Sequence, residues 1–276
     1  MKKVGIFYHP LVEAAQAKAT QLKDFLASRG IAVWLSSAWE SEAAGKYLDG
    51  TDLVLSVGGD GTILRSAQAA APRLIPIVGV NLGRLGFMTE LGADETSDKL
   101  PALLSGEGWL DERAMLQAEL STKGKETDTY HALNDVVVAR GAIARLVRVA
   151  ASINGTPLVE YKADGVILAT ATGSTGYALA AGGPVLYPQA KDFVLVPVMP
   201  HLSPTNALVL SAETVVQLQV TAPYQATFSI DGHTNIPLPD GAVVTVKPSP
   251  HRTRFLRIHP QDTFYRSLEQ KLKGKR

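Results

Sequence analysis

Cysteine is absent from all 276 residues, which excludes disulfides, thiolate nucleophiles and cysteine metal sites and suits a reducing compartment; a cytoplasmic setting is expected. Charge of one sign is missing too. Lys plus Arg number 27 against 26 for Asp plus Glu, so no global field draws the chain to nucleic acid or to an anionic membrane, and neither partner is expected. No run reaches the roughly 18 apolar residues of a membrane span, and the opening MKKVGIFYHPLVEA lacks an h-region and a cleavage site, so a soluble protein is expected. The six histidines, His9, His131, His201, His233, His251 and His259, are dispersed without HExxH or paired spacing, and no dedicated metal site is expected. Heptads, internal repeats and low-complexity linkers are also missing.

What is present is a globular composition, 46% apolar and 19% charged, in a chain long enough for two domains. The first third alternates strand and helix signals. Val4 to Tyr8 is a β-rich run, after which Ala15, Ala19, Leu22 and Leu26 fall on one helical face. Ile31 to Leu35, Asp52 to Val57 and Pro76 to Val80 read as further strands, the last two as continuous apolar runs of the kind buried in a parallel sheet. In such a sheet ligands bind outside the strand C-termini, where Gly58 to Thr62 falls.

From about Asp111 helical periodicity gives way to short β-branched runs parted by turn dipeptides, and a domain boundary is expected there. Val147 to Ile153, Asn154-Gly155 and Pro157 to Tyr161 read as a hairpin, since Asn-Gly tolerates the positive φ angles of a type I′ turn. Strands at Val166 to Thr170, Phe193 to Val198, Val215 to Val220, Ala226 to Ile230 and Val243 to Val246, with Asp231-Gly232 and Asp240-Gly241 at turns, complete a mainly β domain. Phe264, Leu268 and Leu272 predict a short helix before the basic tail Lys271 to Arg276.

Gly58-Gly59-Asp60-Gly61-Thr62 follows a buried strand and opens a helix. Backbone amides without a Cβ in the way can there approach phosphate oxygens at a positive helix N-terminus. An aspartate in such a cradle repels the ligand's charge unless it serves as a base or metal partner, which makes Asp60 the catalytic candidate. The competing reading, a tight turn in which Asp60 only caps the helix, accounts less well for three glycines around one acid. Neither GxxxxGK[ST] nor GxGxxG occurs, so a Walker loop and the usual oxidoreductase fingerprint are excluded. Ser174 lacks a GxSxG elbow and is read as a pocket hydroxyl or turn residue.

GGDGT is shared with lipid and sugar kinases, but further elements narrow the choice. TATGSTGYALAAGGP at Thr170 to Pro184 resembles the signature of the NAD kinase family, commonly TPTGSTAYSLSAGGP, and Leu133-Asn134-Asp135 resembles its LNE or LND element. With NLGRLGF at Asn81 to Phe87 and DGH at Asp231 to His233, the resemblance spans nearly the whole chain. It implies an α/β nucleotide-binding domain with a parallel sheet (1–110, with 252–276 folding back onto it) and a mainly β NAD-binding domain (111–251).

The resemblance also implies roles. Asp60 would be the base toward the adenosine 2′-hydroxyl of NAD, with Gly58, Gly59, Gly61 and Thr62 cradling phosphates and Arg65 as an anion partner one turn on. Asn134 and Asp135 match the pair that bonds the adenine and ribose. Asp164, close after Lys162, matches the acid that grips NAD across a subunit interface, so a homodimer or homotetramer is implied. Thr172, Thr175, Gly176, Tyr177 and Ala180 match pocket residues, and Phe87, Arg145 and His233 are further NAD-binding candidates. Mg²⁺ would arrive with ATP, since no dense carboxylate loop offers a cage. Departures from the common signature are Ala171 for Pro, Gly176 for Ala and Ala180 for Ser, which alter loop stiffness and remove a methyl and a hydroxyl from the pocket.

Overall fold

The computed structural model describes residues 1–40, 44–83, 86–123, 126–141, 145–221, 226–262, 264–266 and 268. The chain separates into two compact units, Met1–Glu112 with Thr253–Arg276, and Arg113–Arg252.

In the first unit four parallel strands lie in the order Ala32–Ser37, Lys3–Tyr8, Leu53–Val57, Ile77–Asn81. The short strand Leu91–Gly92 runs parallel to Ile77–Asn81. So does the end of the long strand Val243–Arg257, where Phe255 lies opposite Ile77. Leu53–Val57 and Ile77–Asn81 are buried at every position, which is why their sequences are almost unbroken apolar runs. Helix Glu13–Ala27 buries Ala15, Ala19, Leu22 and Leu26, the stripe that its spacing predicts. Helix Asp60–Ala70 buries Ile63, Leu64, Ala67 and Ala70. Three described helices are not foreseen by the sequence reading: the single turns Gly45–Leu48 and Tyr177–Ala180, and Thr96–Leu104, which has Pro101 in its interior and buries only Thr96, Leu100 and Leu103, a stripe too short to signal a helix around a proline.

The second unit is built of antiparallel pairs. One set runs in the order Leu208–Leu210, Phe193–Val198, Gly165–Thr170, Asp135–Arg140, Ala226–Ile230, Thr234–Leu238. A second pairs Thr156–Ala163 with Val147–Ile153, then Val216–Thr221, then Val243 to Val246; Leu116 to Leu120 pairs with Asp128–Ala132. Leu116, Val136, Val138, Tyr161, Leu168, Phe193 and Phe228 belong to its core. At the predicted hairpin Asn154 and Gly155 have φ of 50° and 79°, the left-handed pair that Asn-Gly adopts readily.

Residues 264–266 and 268 are helical, and the Phe264 ring lies 6.4 Å from that of Phe87. Leu272 and the basic tail Lys271 to Arg276 lie outside the described residues, as do Arg84 and Leu85 of the NLGRLGF element. No helix among the described residues is long and apolar enough to cross a membrane.

Candidate functional site

In the first unit the glycine loop sits where the fully buried strand Leu53–Val57 ends and helix Asp60–Ala70 begins, with Gly59 as N-cap. The first amides of a helix have no carbonyl upstream to bond, and the helix dipole adds positive potential there. A Cβ at Gly59 or Gly61 would meet nothing within 4 Å, so the backbone there borders open space. Gly58 is the opposite case: a Cβ would overlap Thr62 Oγ1 and stand 2.9 Å from Thr62 Cβ. That hydroxyl is buried and without a hydrogen-bond partner.

Asp60 is half-buried at the first position of the helix. Its Oδ2 accepts the Phe87 N–H at 3.1 Å and its Oδ1 the Met88 N–H at 3.3 Å. The carboxylate therefore cannot rotate freely, and it occupies the space beside Gly86, where a Cβ would overlap Oδ1 and stand 2.7 Å from Cγ. Phe87 thus serves Asp60 through its backbone. Arg65, one turn on, is half-buried with its guanidinium carbon 4.5 Å from the Trp39 ring centroid, stacked in a cation–π arrangement.

In the second unit the Asn134-Asp135 pair is organised by a residue whose role the sequence reading misses. Asp231, in the three-residue connection between Ala226–Ile230 and Thr234–Leu238, turns a buried carboxylate inward. Its Oδ2 accepts the Leu133 N–H at 3.0 Å, and its Oδ1 accepts those of Asn134 at 2.7 Å and Asp135 at 3.1 Å. A positive φ of 49° at Asp231 lets the turn present the carboxylate this way; Asp tolerates that region better than most residues. His233 closes the turn, its Nδ1 3.2 Å from the Asp231 carbonyl oxygen. Asn134 Oδ1 is buried and lacks a hydrogen-bond partner.

Asp135 is 6% exposed. Burial first, and the nearby Asp231 second, push its carboxyl up to about 7. Burial also raises Asp231, against the three N–H donors and His233. A carboxyl raised in the folded state keeps its proton there at pH values where the unfolded chain has already lost it, so stability falls as pH climbs from about 4 to about 7. Asp135→Asn removes this cost. Its melting temperature relative to the parent is expected to rise progressively between pH 4.5 and pH 8 in parallel thermal melts, and a constant difference over that range would rule the linkage out.

The Gly173–Thr175 turn closes over the same segment. Thr170 Oγ1 donates to the Leu133 carbonyl at 2.6 Å and accepts the Gly173 N–H at 3.1 Å. Gly173 lies directly on Asn134, where a Cβ would overlap the carbonyl oxygen and stand 2.8 Å from Cα. Ser174 is fully buried, donating to the Ala171 carbonyl and accepting the Leu186 N–H, which makes it a turn residue. Thr172 Oγ1 accepts from Arg113, and Thr175 Oγ1 donates to the Thr172 carbonyl. Gly176, Tyr177 and Ala180 are exposed, so the short helix Tyr177–Ala180 offers an aromatic ring at the rim.

Not every candidate joins this cluster. Asp164 and Thr170 flank and end the strand Gly165–Thr170, whose rise of about 3.3 Å per residue separates them by nearly 20 Å. At its own end Asp164 pairs with Arg140 at 2.8 Å, and the Lys162 N–H donates to Ser203. Arg145 is exposed ahead of strand Val147–Ile153. Among the described residues no group of three or more His, Asp or Glu side chains is arranged to hold a metal ion.

Residues 11–108 match the ATP-NAD kinase N-terminal domain family and residues 133–258 the ATP-NAD kinase C-terminal domain family. The chain is 46% identical over 274 residues to the NAD kinase of Dehalococcoides mccartyi, covering 99% of this chain and 96% of that one. It is 39% identical to the NAD kinase of Chloroflexus aurantiacus, covering 99% of each. Its fold is similar to an Archaeoglobus fulgidus NAD kinase solved with ATP, at TM-score 0.78 and 26% identity over the whole of both chains. It also resembles a yeast NADH kinase solved with NADH, at TM-score 0.87 and 22% identity over all of this chain and 88% of that one.

Proposed function

This chain belongs to the ATP-NAD kinase family, and we propose how its residues carry out the family's reaction, the ATP-dependent phosphorylation of NAD. Asp60 takes the proton of the adenosine 2′-hydroxyl, that oxygen forms a bond to the γ-phosphorus of ATP, the bond to the β-γ bridging oxygen breaks, and ADP leaves. The observation that carries this reading is the Asp60 carboxylate, tethered by the amides of Phe87 and Met88 next to glycines with open space beside them. A base must be held within hydrogen-bond reach of the proton it takes, and two backbone donors supply that constraint.

The glycine loop fits phosphate. Amides of Gly59 to Gly61 face an N-terminal helix potential, and the orphaned Thr62 hydroxyl suits a phosphate oxygen. Gly58 and Arg65 belong to the same cradle, the first by letting Thr62 approach, the second as a nearby cation. Mg²⁺ bound to the triphosphate would neutralise charge on the transferring group. Asn134 offers its unpaired Oδ1 to an amino donor such as that of adenine, and Asp135 accepts from a ribose hydroxyl. Thr172, Thr175, Gly176, Tyr177, Ala180 and His233 line the NAD pocket.

Asp164, Lys162 and Arg145 are proposed to serve the NAD site of a neighbouring subunit, since Asp164 stands a full strand length from Asn134. A homodimer or homotetramer follows, and light scattering that found an active monomer would refute it. The cysteine-free composition suits a cytoplasmic location.

A coupled assay across donors and acceptors tests the function. NADP is expected from NAD and ATP with Mg²⁺, and the same assay with NADH, other triphosphates and polyphosphate fixes the preferences. Phosphorylated diacylglycerol or hexose with NAD untouched would instead make this a lipid or sugar kinase.

A further inference from the structure

Asp60 is oriented by amides, and those amides belong to a short segment that has to be held in turn. The Gly86 N–H donates to Thr89 Oγ1 at 2.8 Å, which closes the segment on itself. Its carbonyls point the other way. Arg257 Nη1 donates to the Met88 carbonyl at 2.9 Å and lies 3.3 Å from that of Thr89. One residue therefore connects the two groups: the Met88 N–H donates to Asp60, and the Met88 carbonyl, in the next peptide along, accepts from Arg257.

The guanidinium is itself fixed. Arg257 is 6% exposed and lies 3.1 Å from Glu90 Oε2 and 3.2 Å from Asp111 Oδ2. Glu90 Oε1 accepts the Ile258 and His259 N–H groups, both at 2.8 Å, and faces His259 Nδ1 at 2.9 Å. Such a buried, forked cation costs desolvation on both sides, so the arrangement is weak evidence of added stability. What it supplies is direction. Five donors in a rigid plane can reach two carboxylates and two carbonyls together, which an ammonium cannot do.

We propose that Arg257, at the end of strand Val243–Arg257, is a positioning residue for the phosphoryl-transfer step, acting through residues 86–89 to aim the Asp60 carboxylate. The inference rests on the reading of Asp60 as the base. It predicts that weakening Arg257 slows chemistry without weakening substrate binding, because no substrate contact is changed.

The test is a double-mutant cycle between Arg257→Lys and Asp60→Asn, measured as kcat and KM on folded protein. In the parent background Arg257→Lys is expected to lower kcat about tenfold with both KM values within about twofold, and in the Asp60→Asn background to lower it less than twofold, since the group it aims is already gone. A merely structural role would cost the same factor in both backgrounds, and that result, or an unchanged kcat in the parent, overturns the proposal. Near-parental turnover of Asp60→Asn alone would instead sink the base assignment beneath it. Should Arg257→Lys fail to fold by circular dichroism, Thr89→Val runs the same cycle: it deletes the acceptor of the Gly86 N–H, leaves Arg257 intact, and is judged by the same non-additivity.

Discussion

Asp60→Asn is expected to lower kcat by about 10² to 10⁴, the usual worth of a positioned general base, while NAD binds with nearly parental affinity. The substitution keeps the size of the side chain and one acceptor oxygen. It cannot receive the 2′-hydroxyl proton, and its amide group now faces one of the two N–H donors of Phe87 and Met88, so the tether loosens as well. Initial rates of NADP formation give kcat, and calorimetric titration with NAD gives binding. Turnover within about threefold of the parent would show that proton removal does not need this carboxylate.

Gly173→Ala should produce the second-largest effect, through the other unit. The added methyl would collide with the carbonyl of Asn134, which is backbone and cannot swing aside. Either the Gly173–Thr175 turn or the Leu133 to Asp135 segment must shift, and the Thr170 hydroxyl that joins them loses a bond. Overpacking of this kind costs about 1 to 3 kcal/mol, or roughly 2 to 12 °C of melting temperature, and KM for NAD should rise at least about tenfold with the loss of Asn134 geometry. Gly176→Ala is the control. A methyl there stands 3.3 Å from the Gly173 carbonyl oxygen and 3.9 Å from Asn134 Nδ2, and the common family signature has alanine at this place. Equal melting temperatures for the two variants would refute the steric account.

Features encoded over a few neighbouring residues were legible in the sequence. The apolar run before Gly58, the 4-3-4 spacing of Ala15 to Leu26 and the Asn154-Gly155 turn each state their own geometry, because burial on two faces, one helical stripe and positive φ are local demands. The glycine loop was legible for the same reason. Helix Thr96–Leu104 was not, since Pro101 interrupts its pattern. Nor was the purpose of Asp231: its turn could be read, but the burial of its carboxylate depends on amides 96 to 98 positions away. Gly86 makes way for an acid 26 residues earlier in the chain. Arg257 is one basic residue among several in HRTRFLR, with no local pattern to single it out, and only the folded chain gives it Glu90, Asp111 and two carbonyls. Contacts that long-range leave no periodicity behind.

The return of Phe255 and Arg257 to the first unit has a consequence for how a newly made molecule comes alive. While the ribosome has yet to deliver residues 253–257, Ile77 has no Phe255 across from it and the Met88 carbonyl has no guanidinium behind it. Closing that loop of some 170 residues costs entropy that grows only slowly with its length, yet it must wait until residues 253–257 have been made. A nascent chain that stops short of residue 253 thus has its glycine loop but not the guanidinium that holds the Met88 carbonyl.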